Sequence, residues 1–183
     1  MILTDLAIEW AVNQGDIEID PWRKKQLNPS SYDLTLGDQV LVYDFPPMAI
    51  LDVREEPTAF RHALIDDRGF AIHPGKGYLM HTVERVTSRK YVPVLDGKSS
   101  IGRLFVSVHQ TAGYGDIGFD GQYTLEVTTM YSIRLYAGMR IAQMRFHEVR
   151  GEVGKPYNGN YVGEAARGPV PSKAWKQFKQ EKR

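Results

Sequence analysis

Two carboxylates in the stretch HQTAGYGDIGFDGQYTLEV (109–127) have positions that could do chemistry. Glu126 lies between Leu125 and Val127 in an alternating run, so it must point away from the side those apolar neighbours bury. It either faces solvent, the usual fate of a strand glutamate, or enters a polar pocket. In a pocket, desolvation would raise its pKa and let it shuttle protons near neutral pH. Asp116 precedes it in the glycine-flanked GYGDIG. Aspartate is a favoured turn residue; the alternative is a carboxylate that holds a sugar hydroxyl or a water.

A second cluster, GKSSIGR (97–103), mixes the groups an oxyanion needs. Lys98 and Arg103 bring charge, Ser99 and Ser100 bring hydroxyls, and Gly97 and Gly102 let the backbone approach. Amides at the start of a short helix would add donors. The spacing is not that of a Walker loop. Taken alone, the segment reads equally as a phosphate site or a polar turn. His109 flanks the first stretch, where a lone histidine is more often structural than a ligand. The five histidines (62, 73, 81, 109 and 147) show no close metal spacing, and the absence of cysteine excludes thiolate sites and disulfides. No zinc is therefore expected, and a reducing, cytoplasmic setting fits.

These residues need a scaffold. The N-terminal TDLAIEWAVNQG predicts a short amphipathic helix, capped by Thr4 and stopped by Gly15. Strand patterns follow at 32–43, 69–73, 77–88, 91–95, 104–109, 122–129, 132–136 and 139–149, punctuated by glycine and proline. Residues 97–103 do not alternate and read as a loop entering a helical turn. The expected fold class is mainly β, a sandwich or barrel. From about residue 150 the chain turns Gly-, Pro- and Lys-rich with isolated aromatics, a composition that builds no core. Tyr157, Tyr161, Trp175 and Phe178 favour a closing arm over a solvated tail. The expected division is a β domain over 1–150 and an arm over 151–183.

The net charge of +1 gives no global field for nucleic acid, so any anion must be gripped locally. The apolar runs are too short to span a bilayer, and MILTDLAIEW lacks the basic start of a secretory leader. No membrane or nucleic-acid partner is expected.

In order and spacing, five segments resemble the deoxycytidine triphosphate (dCTP) deaminase family, within the trimeric deoxyuridine triphosphatase (dUTPase) superfamily. They are NPSSYDLTLG (28–37), GKSSIGR, HQTAGYGDIGFDGQYTLE (109–126), AGMRIAQMRF (137–146) and RGPVPS (167–172). The resemblance implies a dUTPase-like distorted β-barrel or jelly roll with a short N-terminal helix and a C-terminal arm. It further implies a homotrimer with sites between subunits, and Mg2+ carried on the triphosphate of dCTP or dUTP without zinc. dTTP inhibition occurs in the family.

By the same resemblance, Glu126 is the general acid/base that activates a water against C4 of cytosine. Ser99, Arg103 and the carbonyl of Ala112 position that water and Glu126. Asp116 contacts the 3′-hydroxyl and, in members that also hydrolyse the triphosphate, helps activate the second water. Lys98, Ser100 and Arg103 hold phosphates, with Lys155 and Tyr157 reaching in from the tail. Thr111, Gln143 and Glu164 complete the expected ligand contacts. The TAG of 111–113 and Tyr114 resemble members that release dUMP from dCTP. Gly115 and Ile117 depart from the residues usual beside that aspartate, and Asn160 stands where a lysine is common. The expected activity is deamination of dCTP, followed in bifunctional members by hydrolysis to dUMP and pyrophosphate. The alternatives are a dUTP or modified-pyrimidine triphosphate pyrophosphatase, and a non-catalytic nucleotide-binding relative.

Overall fold

Helix α1 (Asp5–Gln14) opens the chain, with the Thr4 hydroxyl accepting from the Ala7 amide at 3.4 Å. Gly15, at φ 75°, ends it. The computed structural model describes residues 1–46, 48–161 and 168–179. Glu164 and Arg167 lie outside the described residues.

Twelve strands follow among the described residues. The first six are β1 (Ile17–Asp20), β2 (Leu27–Asn28), β3 (Ser31–Thr35), β4 (Gln39–Tyr43), β5 (Phe60–Leu64) and β6 (Phe70–Ile72). Next come β7 (Tyr78–Ser88), β8 (Tyr91–Gly97), a one-turn helix α2 (Ser99–Gly102) and β9 (Val106–Ser107). The last are β10 (Asp120–Thr129), β11 (Ile133–Leu135) and β12 (Arg140–Glu148), before a short helix α3 (Lys176–Lys179). The chain is mainly β, with a short N-terminal helix.

One sheet runs β5-β4-β7-β10-β9, with β1 also on β7; a second runs β2-β3-β12-β8; β6 and β11 pair apart. All of these pairings are antiparallel. Tyr32 and Leu34 of β3, Met144 and Phe146 of β12, Met80 of β7 and Leu125 and Val127 of β10 share one buried hydrophobic cluster, which α1 joins through Ile8 and Ala11. Burying that apolar surface is the main force holding the sheets together.

The strand expected over 32–43 divides at Gly37. Its amide donates to His81 O at 2.8 Å, and a Cβ there would collide with the His81 ring. The backbone thus crosses from one sheet to the other where only glycine fits. The strand expected over 104–109 shrinks to Val106–Ser107. Leu104 N donates to Ile101 O and Phe105 N to Gly102 O, so the turn of α2 runs on and ends with Phe105 at φ 59°. Strand β5 escapes sequence patterning because FRHAL does not alternate: it is an edge strand held by backbone pairing to β4.

Candidate active site

Strand β10 delivers Glu126 as its alternation requires. Leu125 and Val127 are buried in the core, while Glu126 points to the opposite face into a cavity of about 500 Å³. Ala112, Asp116, Phe119, Tyr123 and Thr124 also line that cavity. The Glu126 carboxylate is held from one side: the Gln110 amide donates to Oε2 at 3.0 Å. Gln110 Nε2 donates to Thr128 Oγ1 at 3.0 Å, which fixes the loop against the strand. Oε1 has no hydrogen-bond partner among the described residues.

The Asp116 turn is fastened at both ends. Gly115 N donates to Pro93 O at 2.8 Å, and Gly118 N to Ser88 O at 2.8 Å. The Asp116 carboxylate is exposed and makes no hydrogen bond or ion pair among the described residues. Gly118, at φ 94°, is needed for a further reason. A Cβ there would lie 2.9 Å from Pro156 Cβ, while Tyr157 N donates to Ile117 O at 2.8 Å. The arm therefore rests directly on the turn.

From there the arm supplies part of the cavity wall: Tyr157, Tyr161, Val170 and Ser172. Gly168 N donates to Gln122 Oε1 and Val170 N to Thr124 Oγ1, both at 3.1 Å. Phe119 packs edge-on between Tyr123 and Tyr157, with centroids 5.0 and 5.8 Å away. Lys155 faces an adjoining pocket that shares Tyr114, Asp116 and Tyr157 with the first.

The GKSSIGR cluster lies apart. Ser99, Ser100 and Arg103 are exposed, and Arg103 Nη1 folds back to Ser99 O at 3.2 Å. Lys98 is not a free cation: its Nζ lies 2.9 and 2.8 Å from the two oxygens of buried Asp33. Arg140 Nη1 also reaches Asp33 at 3.1 Å, and Asn28 Nδ2 donates to it at 2.9 Å. Two cations on one buried carboxylate leave a net positive charge at the mouth of α2. Gln143 braces the same place, donating to Gly97 O at 3.3 Å and accepting from Ser31 Oγ at 3.4 Å.

The structure thus gathers Ala112, Asp116, Glu126 and Tyr157 around one cavity. Lys98, Ser99, Ser100, Arg103, Thr111, Gln143 and Lys155 are not among the described residues of its wall. Sequence reasoning missed Gln110, Phe119 and Tyr123. Gln110 lies inside the quoted motif, but its bond to Glu126 depends on a loop folding back onto β10, which spacing does not reveal. Asp33 lay in a recognised segment with no role attached, since its partners are far away in sequence.

The fold is shared with the crystal structure of 2′-deoxycytidine 5′-triphosphate deaminase from Agrobacterium tumefaciens. The TM-score is 0.63 at 23% identity, over 81% of this chain and 48% of that one, so the chain spans about half the length of that protein. Residues 2–149 match the dCTP deaminase-like family, and the chain belongs to it. The "dCTP deaminase, dUMP-forming" of Clostridium acetobutylicum is 41% identical over 178 residues, covering 97% of this chain and 99% of that protein. The protein of the same name from Leptospira biflexa is 41% identical over 168 residues, covering 91% and 92%.

Proposed function

We propose that the protein deaminates dCTP and hydrolyses the product in the same site, releasing ammonia, dUMP and pyrophosphate. The observation that carries this reading is the shared cavity of Glu126 and Asp116, one carboxylate for each water to be activated. Membership of the dCTP deaminase-like family and relatives named as dUMP-forming support it.

In the first step Glu126 takes a proton from a water that adds to C4 of cytosine. It then delivers protons toward N3 and the departing amine, so that dCTP and water become dUTP and ammonia. The Gln110 amide fixes one oxygen of the carboxylate, and the other would carry the proton. The carbonyl of Ala112 and the side chains of Ser99 and Arg103 would orient the water. In the second step Asp116 accepts a proton from another water as it attacks the α-phosphorus. The products are dUMP and pyrophosphate.

The triphosphate would lie toward the positive mouth of α2, against Lys98, Ser100 and Arg103, with Gln143 bracing that loop. Lys155 and Tyr157 would reach it from the arm, and Thr111 from beside Ala112. Among the described residues no three His, Asp or Glu side chains cluster as metal ligands. A Mg2+ would accordingly take its ligands from phosphate and water, the usual arrangement for this ion, and neutralise phosphate charge. Residues 151–183 would act as the arm that closes over the nucleotide.

The protein would work as a homotrimer. Leu104, Phe105, Met130 and Tyr131 form an exposed apolar patch beside Arg103, with the Phe105 and Tyr131 rings 5.7 Å apart. Burying this patch against a second copy would bring one chain's α2 loop to another's Glu126 cavity. The test is to incubate the protein with dCTP or dUTP and Mg2+ and separate the products. dUMP and pyrophosphate from both substrates is the expected result. dUTP as the only product from dCTP would limit the activity to deamination, and no turnover would overturn the reading.

A further inference from the structure

Tyr123 and Asp116 present an unmet donor beside an unmet acceptor. The Tyr123 hydroxyl is buried and has no hydrogen-bond partner among the described residues. Leaving a buried hydroxyl unpaired is costly, so such a group in a site wall calls for an explanation. Burial, and then the nearby Asp116 charge, hold its ionisation above the ordinary phenol range, so it stays a donor. Asp116 lies on the same cavity wall with its carboxylate unpartnered among the described residues.

The local backbone is shaped around this hydroxyl. Strand β7 bulges opposite Tyr123: Gln122 pairs with Arg85 and Thr124 with His81. Thr82 Oγ1 takes the Tyr123 amide at 2.9 Å in place of a ladder bond. Bulges of this kind re-aim side chains. The ring then reaches the Asp116 turn, where a Cβ on Gly115 would lie only 2.8 Å from the Tyr123 oxygen. Gly115 therefore leaves the room that the hydroxyl fills, next in sequence to the carboxylate.

We infer that Tyr123 is a positioning residue for the hydrolytic step, its hydroxyl donating a hydrogen bond that holds the Asp116 carboxylate when nucleotide is bound. The inference rests on the proposed function, because Asp116 serves the second water. A donor to Asp116 favours its charged, proton-accepting form. Glu126 is held separately by Gln110, so deamination depends less on this contact.

The experiment compares Tyr123→Phe with the unaltered protein, using dCTP and, separately, dUTP, both with Mg2+. The variant removes one oxygen from an unsatisfied site, so its melting temperature should hold or rise. dUTP hydrolysis should fall about tenfold or more, the scale of a hydrogen bond to a charged group. Deamination should fall less, so dUTP accumulates from dCTP. The acid limb of the hydrolysis profile should move to higher pH, a shift that a packing role would not produce. An unchanged product ratio and acid limb would overturn the role of Tyr123 and leave the proposed function standing. Equal loss of both steps with a lower melting temperature would mark Tyr123 as structural and also overturn it. No turnover by the unaltered protein would overturn both readings.

Discussion

At the scale of single residues, the chemistry turns on which polar groups are already occupied. Glu126 lines the cavity, and one of its carboxylate oxygens is bonded to the Gln110 amide. Glu126→Gln keeps the shape and removes the proton carrier. It should abolish deamination while triphosphate binding stays nearly intact, as checked by product analysis alongside calorimetric titration. Near wild-type deamination would exclude Glu126 as the base. Among the described residues Arg103 is exposed and bonded only to its own turn, which suits it to meet a phosphate. Arg103→Ala should weaken nucleotide binding by about 1.5–3 kcal/mol, the value of a hydrogen bond to a charged group; unchanged affinity would remove it from the site. Two tyrosines set an alkaline limit. Burial raises the pKa of Tyr32, against the opposing Arg23 amide bond, and burial also raises that of Tyr123. A folded-state pKa above the unfolded one means full stability below about pH 10 and loss as pH climbs past it. Urea midpoints should therefore drop above about pH 10, and Tyr123→Phe should lessen the drop.

At the scale of elements, the C-terminal segment packs on the Asp116 turn through Pro156 and Tyr157. Gly118 combines a positive φ with contact to Pro156 and Tyr157, so any side chain is both strained and in the way. Gly118→Ala should cost about 1–3 kcal/mol in stability. It should also lift Tyr157 off the turn, weakening nucleotide affinity and speeding proteolysis of the arm. Native-like cleavage rates and affinity would show that the arm contact contributes nothing. The other fixed element is α2. Its entry is tied to β3 through Lys98 and Asp33 and to β12 through Arg140 and Gln143. The segment NPSSYDLTLG thus serves the GKSSIGR loop by anchoring it from beneath, and Gly37 lets the chain change sheets where it does.

At the scale of the whole molecule, the α2 loop contributes no described residue to the wall of the Glu126 cavity, and in the proposed function the two are halves of one site. Association through Leu104, Phe105, Met130 and Tyr131 is the proposed way to join them. Phe105→Glu should shift the particle from three chains to one in sedimentation, with loss of turnover although the isolated chain keeps its strand content by circular dichroism. A monomeric wild-type protein with full activity would sink the shared-site reading. No helix among the described residues is long and apolar enough to cross a membrane.

Local chemistry was legible from the sequence alone. Thr4 and Gly15 bound α1 because capping acts within a few residues, and alternation put Glu126 opposite Leu125 and Val127 because strand geometry has period two. The order of the five motifs was enough to point to the family to which the chain belongs. Long-range contacts were decided only in three dimensions. The pairing of Lys98 with Asp33, the hold of Gln110 on Glu126, the fit of Tyr123 into the space at Gly115 and the division of the 32–43 strand at His81 all join residues from different elements. No local period encodes such contacts, because they exist only once the sheets have buried their common core and brought those elements together.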